Sequence, residues 1–136
     1  MQLKKIHKAP KKILSYYNHL LKTGSYGFKI MSNIQITEKQ MISIERILKS
    51  QLKKCSIQLQ KVKLWKQMNL NKTLTKLSLE ARMGKGKGTV YTKVLFLKKG
   101  SIIYEFKNIK NQQIQEVFNL LKKYFPAKIM LVKKVK

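Results

Sequence analysis

Thirty-one Lys and Arg residues stand against five Glu and no Asp in this chain of 136, a formal net charge of +26, and any fold it adopts must hold that charge together. Self-repulsion on this scale works against a free globule, so the expected resident partner is a polyanion, either nucleic acid or an anionic membrane surface. The rest of the composition keeps the chain from being a polybasic tail. Hydrophobic residues make up 43%, with six Tyr and five Phe, and disordered basic segments lack the apolar groups that offset chain entropy. The length suits one domain, burying roughly two-thirds of the surface that the unfolded chain exposes.

Several function classes fall away on residue types alone. Cys55 is the single cysteine, and His7 and His19 are the only histidines. They cannot assemble a disulfide framework or a four-ligand zinc site within the chain, so no metal and no cofactor is expected. No window offers 18 consecutive apolar residues, and Met1-Gln2-Leu3-Lys4-Lys5 lacks the apolar run of a signal peptide. Residues 1–37 hold no acid, as in transit peptides, but also no Arg, so an N-terminus without a leader is expected. Lys outnumbers Arg by 29 to 2 (Arg46 and Arg82), with 14 Ile, 7 Asn and 3 Ala, the skew of an organellar genome or a very AT-rich bacterium. Lysine supplies a point charge where arginine would supply a planar fork.

The pattern divides the chain into a basic arm over residues 1–23 and a single α+β domain over 24–136. The arm carries Lys4, Lys5, Lys8, Lys11, Lys12 and Lys22 around Ile13, Leu14, Tyr16, Tyr17, Leu20 and Leu21, with room for a short helix. Gly24-Ser25-Tyr26-Gly27-Phe28-Lys29-Ile30 predicts a bend feeding a strand. Thr37 with Gln40 forms a capping-box signature, and Met41, Ile44, Ile47, Leu48 and Leu52 predict a helix over 38–54. Residues 57–66 alternate as a strand does, and Leu74, Leu77 and Leu79 mark a weaker one. Residues 89–97 and 102–106, joined by Lys98-Lys99-Gly100-Ser101, predict a β-hairpin. Ile114, Val117, Phe118 and Leu121 mark a second helix ending before Pro126, and Ile129, Leu131 and Val135 a last strand with a basic C-terminus. The order predicts a two-layer α+β sandwich, a mixed or antiparallel sheet with two main helices.

The sharpest local feature is Arg82-Met83-Gly84-Lys85-Gly86-Lys87-Gly88. Glycines at alternate positions let a backbone approach phosphates, and Lys85 and Lys87 project charge at them. A Walker A loop needs Gly-Lys followed by Ser or Thr, and here both lysines are followed by Gly. Glycines are ordinary in loops, but alternating lysines favour phosphate contact. Glu38, Glu45, Glu80, Glu105 and Glu116 lie far apart, so no local carboxylate pair serves acid–base work. Glu105, between Tyr104 and Phe106, reads as a partnered structural acid. No nucleophile elbow surrounds Ser25, His7 or Cys55, so no catalytic residue is assigned and the chain is not read as an enzyme. His7 reads as a polar phosphate neighbour, Cys55 as a small hydrophobe near a helix end, and Trp65 as a buried or half-buried aromatic more than a base-stacking one. The arm lacks the long clean apolar stripe of a membrane-surface helix.

The glycine–lysine run, followed by a strand, Gly100 and Ile102-Ile103-Tyr104-Glu105-Phe106, closely resembles the signature of the large-subunit ribosomal protein L-sixteen family of bacteria and organelles. Gly24-Ser25-Tyr26-Gly27-Phe28-Lys29 is similar to the family's Gly-Ser-Phe-Gly-Leu-Lys segment, Ile36-Thr37 with Gln40 to the opening of its first helix, and Phe125-Pro126-Ala127-Lys128 to its Leu-Pro-Ile-Lys close. The resemblance runs from about Lys5 to Lys134. The chain departs from the pattern in a longer stretch before Trp65, in Asn69-Leu70-Asn71-Lys72-Thr73-Leu74 where the family is Pro-rich, and in Lys93 and Lys99 where it has Trp and Pro.

This resemblance implies a hammerhead-type α+β fold and a structural role in the large ribosomal subunit. It implies binding to large-subunit rRNA below the central protuberance, near the aminoacyl-tRNA site, shaping the peptidyl transferase centre without performing its chemistry. Carried over, the contacts come from Lys4, Lys5, His7, Lys8, Lys11 and Lys12 in the arm, and from Arg82, Lys85 and Lys87 in the loop. Lys22, Ser25 and Tyr26 at the arm's root, Met83, Gly84, Gly86 and Gly88 in the loop, and Lys133 and Lys134 at the C-terminus complete the candidate RNA-binding set. The expected partners are large-subunit rRNA, a transient aminoacyl-site tRNA and neighbouring ribosomal proteins, with no membrane and no homo-oligomer. Codon skew places the chain in the mitochondrial ribosome, in the matrix, ahead of a plastid or an AT-rich bacterial cytoplasm. The alternative is a non-ribosomal basic protein that binds RNA or an anionic membrane surface.

Overall fold

Alternating apolar residues, two capped amphipathic stretches and one paired corner build the architecture seen in the computed structural model, which describes residues 4, 5, 18–56, 61–70, 72–84 and 86–135. In chain order the elements are β1 (Tyr26–Ile30), β2 (Ile34–Thr37), α1 (Glu38–Cys55), β3 (Lys63–Lys66), β4 (Lys72–Lys76), β5 (Thr89–Leu97), β6 (Ile102–Lys107), α2 (Asn111–Tyr124) and β7 (Ile129–Lys133). The strands form a four-stranded sheet in the order β3-β6-β1-β7 and a three-stranded sheet in the order β2-β5-β4. Every neighbouring pair is antiparallel, which makes this an α+β fold.

The predicted hairpin of residues 89–106 does not form. β5 pairs with β2 and β4, while β6 pairs with β1 and β3, so Lys98–Ser101 carries the chain from one sheet to the other. The residues opposite it make the same crossing: β1 passes into β2 through Met31–Asn33, and the two segments bond across the corner. Ile30 N donates to Ser101 O at 2.9 Å and Gly100 N donates to Ile30 O at 2.8 Å, and Lys99 N donates to Asn33 Oδ1 at 2.8 Å. A two-stranded ribbon therefore bends from sheet to sheet, the way strands that switch sheets make corners. β6 requires this arrangement because Ile102 through Phe106 are all buried, and a lone hairpin would leave one of its edges unpaired.

The real hairpin lies earlier. β4 pairs with the outer half of β5 from Lys72↔Val94 to Lys76↔Thr89. The weak strand falls at Lys72–Lys76, around buried Thr73, whereas Leu77 and Leu79 are exposed. Of the predicted 57–66 strand, Lys63–Lys66 forms β3 and residues 57–60 lie outside the described residues. β2 is a strand that the apolar pattern alone did not mark.

Both helices form where their stripes predict. The Thr37 amide and the Gln40 amide are capped reciprocally, with Thr37 N donating to Gln40 Oε1 at 3.0 Å. Met41, Ile44, Leu48 and Leu52 face inward from α1, and Ile114, Val117 and Leu121 from α2. The helices pack on each other, α1 also on β2 and β5 and α2 on β7. Phe28 sits at the centre, 4.7 Å from the Phe106 ring and 5.8 Å from that of Phe118.

Candidate nucleic-acid interface

The glycine–lysine loop occupies the tip of the β4–β5 hairpin, where residues 77–88 join strands paired down to Lys76↔Thr89. Gly88 lets the loop close against β4, since a Cβ there would collide with the Lys76 carbonyl oxygen. Gly84 and Gly86 take φ of +93° and +77°, which disfavour L side chains, and open space surrounds both. Arg82, Met83, Gly84, Gly86 and Lys87 are exposed and Gly88 is half-buried. Leu79 and Met83 are each 98% exposed, an unusual presentation of large apolar groups on a surface that also carries Arg82, Lys87 and Glu80.

The beginning of the arm rests on this hairpin. Thr73 Oγ1 donates to the Lys4 carbonyl, and Lys5 Nζ donates to the Lys87 carbonyl at 3.3 Å. Two segments that sequence treated separately, Lys4-Lys5 and the loop, thus meet. His7, Lys8, Lys11, Lys12 and Lys85 lie outside the described residues, as does any short helix in the arm. Sequence reading did not single out Lys76 and Tyr91, which extend the same surface along the hairpin. Tyr91 is 60% exposed, and Lys76 Nζ lies 5.4 Å from its ring centroid. The alternation of Thr89, Tyr91 and Lys93 was the available signal.

A second group gathers at the end of the four-stranded sheet farthest from the corner. Ser25, Tyr26, Lys133 and Lys134 line a cleft of about 910 Å³ together with Lys107, Lys110 and Cys55. Lys134 N donates to Ser25 O at 2.8 Å. Tyr26 is buried, with Lys133 Nζ 6.0 Å from its ring centroid. Nothing in the sequence distinguished Lys107 and Lys110 from the other lysines, because tertiary packing alone assembles them here.

Glu105 fixes the segment leading into this end. Its carboxylate is buried on β6 and accepts the amides of Lys22 at 3.1 Å, Thr23 at 2.8 Å and Gly24 at 2.7 Å, plus the Thr23 hydroxyl at 3.0 Å. Burial by itself would raise its pKa, but the backbone donors of Gly24, Lys22 and Thr23 and the Thr23 hydroxyl outweigh burial and hold the carboxyl below its ordinary value. This is the partnered structural acid that the sequence predicts. Lys22, exposed, turns its ammonium to Asn18 Oδ1 at 2.9 Å.

The other chemistry-bearing residues take packing roles. Cys55 is half-buried, and burial, followed by the Glu116 charge, pushes its thiol up, away from the thiolate form that reacts. Trp65 is half-buried on β3, opposite Glu105. Among the described residues, no group of His, Cys, Asp or Glu could hold a metal ion, and no helix is long and apolar enough to cross a membrane.

Comparison with known proteins meets this geometry. The family described as Ribosomal protein L16p/L10e matches residues 2–132. Large ribosomal subunit protein uL16m of Chondrus crispus is 42% identical over 130 residues, covering 96% of this chain and 94% of the relative. Large ribosomal subunit protein uL16 of Buchnera aphidicola subsp. Cinara cedri is 31% identical over 134 residues, with 98% and 93% covered. The uL16 of Xanthomonas oryzae pv. oryzae is 31% identical over 117 residues, with 86% and 81% covered. With a family match over nearly its whole length and relatives aligned end to end, the chain belongs to the ribosomal protein L16p/L10e family and is a structural constituent of the large ribosomal subunit, not an enzyme.

Proposed function

We propose that the protein binds large-subunit rRNA near the aminoacyl-tRNA site and the peptidyl transferase centre, with residues 1–23 acting as a basic arm and 24–136 as one rRNA-binding domain. The observation that carries this reading is the meeting of Lys5 with the Lys87 carbonyl at the tip of the β4–β5 hairpin. There Lys4 and Lys5 meet the hairpin whose loop presents two apolar side chains, Leu79 and Met83, almost fully to solvent. Its lysines neutralise phosphates and set register, and contacts of this kind position a backbone more than they read bases. Lys4, Lys5, His7, Lys8, Lys11 and Lys12 supply the arm's charge, and Arg82, Lys85 and Lys87 that of the loop. The uL16m name of the Chondrus crispus relative, joined to the Lys- and Ile-rich composition, supports a mitochondrial ribosome.

The test uses a hydroxyl-radical source tethered at Met83→Cys in a Cys55→Ser background, assembled into large subunits. Cleavage of rRNA around the aminoacyl site, and of a tRNA bound there, is the expected result. Cleavage confined to distant rRNA overturns the placement. In the same assemblies, Lys85→Ala with Lys87→Ala weakens incorporation more than Lys49→Ala with Lys53→Ala on the outer face of α1, and equal incorporation overturns the loop's role.

A further inference from the structure

The cleft at the far end of the four-stranded sheet shares no residue with the hairpin tip. It opens between the end of β6 with the turn Asn108–Lys110 on one side and the end of β7 on the other, and Lys107, Lys110, Lys133 and Lys134 line it, with no acidic residue in the lining among the described residues. Four like charges around one concavity repel one another until an anion enters, and low-dielectric walls focus their field into the opening. Two acids stand behind the lining and offset only part of this charge: Glu105 gives both carboxylate oxygens to the amides of residues 22–24, and Glu116, whose charge reaches Cys55, is not itself part of the lining.

The walls are also built. Lys134 N is bonded to Ser25 O, Lys133 is seated over the Tyr26 ring, and Lys110 N donates to Gln113 Oε1 at 3.3 Å while Gln113 Nε2 donates to Cys55 O at 3.4 Å. At about 910 Å³ the cleft is far larger than one phosphate group. Its single sign of charge, bordered by Ile109 and Val135, suits a phosphodiester strand whose sugars lie against apolar edges. The start of α2 adds a field of the same sign, but the lysines carry the site.

Position gives the cleft its consequence. α1 begins just after Thr37, which pairs with Val94, and ends at Cys55 beside the cleft, a helix of ~27 Å at 1.5 Å per residue. The glycine–lysine loop lies beyond Thr89, at the other end of β5 from the corner. We propose that this cleft is a second phosphodiester-binding site, so that one molecule of the protein holds two separate segments of RNA, one at the hairpin tip and one here. The proposal rests on the RNA-binding reading above and extends it to Lys107 and Lys110.

The test takes the full chain and mixes it with equal amounts of a short single-stranded oligouridylate labelled with a donor dye and the same strand labelled with an acceptor. Wild type brings the two dyes together. Lys107→Gln with Lys110→Gln abolishes that coincidence while one strand stays bound, and so does Lys85→Gln with Lys87→Gln. Lys49→Gln with Lys53→Gln leaves it intact. In salt titrations the log–log slope falls by about 0.7 for each phosphate contact removed at either site. These lysines are exposed wherever they are described, so the replacements leave the core untouched. A cleft variant indistinguishable from the α1-face variant overturns the second site while the loop variant still tests the first. Wild type that binds no oligonucleotide overturns the RNA-binding reading itself. Loss of poly-glutamate binding in the cleft variant, with RNA binding unchanged, replaces the strand by an acidic peptide and also overturns the proposal.

Discussion

β6 and the outer half of β5 are separated by one corner, yet they meet different fates. Ile102 through Phe106 are buried without exception, because β6 has β1 on one edge and β3 on the other and Ile103, Tyr104 and Phe106 lie within the packed centre. From Thr89 to Lys93 every second residue of β5 is exposed, because β2 covers only Val94 to Leu97 and leaves β4 as the sole neighbour farther out. One ribbon is therefore anchored at one end and presents the other. On the RNA-binding reading proposed above, the difference teaches that stability and RNA contact fall to separate stretches of one continuous segment, β5 through the corner into β6, so that changes in one stretch leave the other's property in place.

The hardest blow to the anchored end is Phe106→Ala. Phe106 is fully buried and its ring lies 4.7 Å from that of Phe28, so truncation loses transfer energy, leaves a cavity and is expected to cost about 3–5 kcal/mol. Tyr91→Ala at the presenting end is expected to change stability by less than about 0.5 kcal/mol while weakening RNA binding, since it removes an exposed ring beside Lys76. Urea denaturation of both variants measures the first property and filter binding to rRNA fragments the second. Similar losses of stability in the two would erase the division.

Glu105 sharpens the comparison because it is a charge placed in the anchored end. Replacing it with Gln removes the charge and turns one of the two oxygens that serve three amides and a hydroxyl into an NH2 donor, and hydrogen bonds to a charged group predict a loss of about 1.5–3 kcal/mol at neutral pH. The pH dependence has a definite sign. Burial alone pushes its pKa up, but the donors hold it below the unfolded value, so its contribution is present above the unfolded pKa and lost as pH falls through the folded one. The stability gap between wild type and Glu105→Gln should therefore narrow on acidification. Denaturation midpoints across an acid pH series measure it, and a gap that stays constant would show that the carboxylate's charge is not what holds residues 22–24.

What could be read from sequence follows the range of the interactions. The capping box of Thr37 and Gln40 and the stripes of α1 and α2 are local, and they were legible. So was the need for Glu105 to find partners, since an acid between Tyr104 and Phe106 cannot stay unpaired in a core. The corner was not legible: Lys98–Ser101 has the composition of a turn, while one of the groups that hold it, Asn33 Oδ1, lies 66 residues from Lys99. The hairpin bearing the loop was hidden because β4 reads Lys-Thr-Leu-Thr-Lys, with a threonine as its buried residue. The loop itself was visible as a motif, but its meeting with Lys5, and the convergence of Lys107 and Lys110 on the cleft, exist only after folding.

The smaller of the two charge effects separates a charge that is built in from one that is merely placed. Lys66 at the end of β3 lies 2.6 Å from Glu45 Oε1 on α1, and both side chains keep a quarter or more of their surface in water, 29% and 25%. Solvent screens such a pair, and holding two long side chains in one geometry costs rotamer entropy, so Glu45→Gln is expected to cost only about 0.2–1 kcal/mol. Salt should remove most of that difference, because exposed charges are screened within a Debye length of about 8–10 Å at moderate ionic strength, whereas the amide contacts to Glu105 are buried or part-buried and are screened much less. Denaturation of both variants at low and high salt makes the comparison directly. A loss at Glu45 that equals that at Glu105 and survives high salt would mean that α1 is locked to the edge strand β3 as firmly as residues 22–24 are locked to β6, and the anchored region would then extend to the outer edge of the four-stranded sheet.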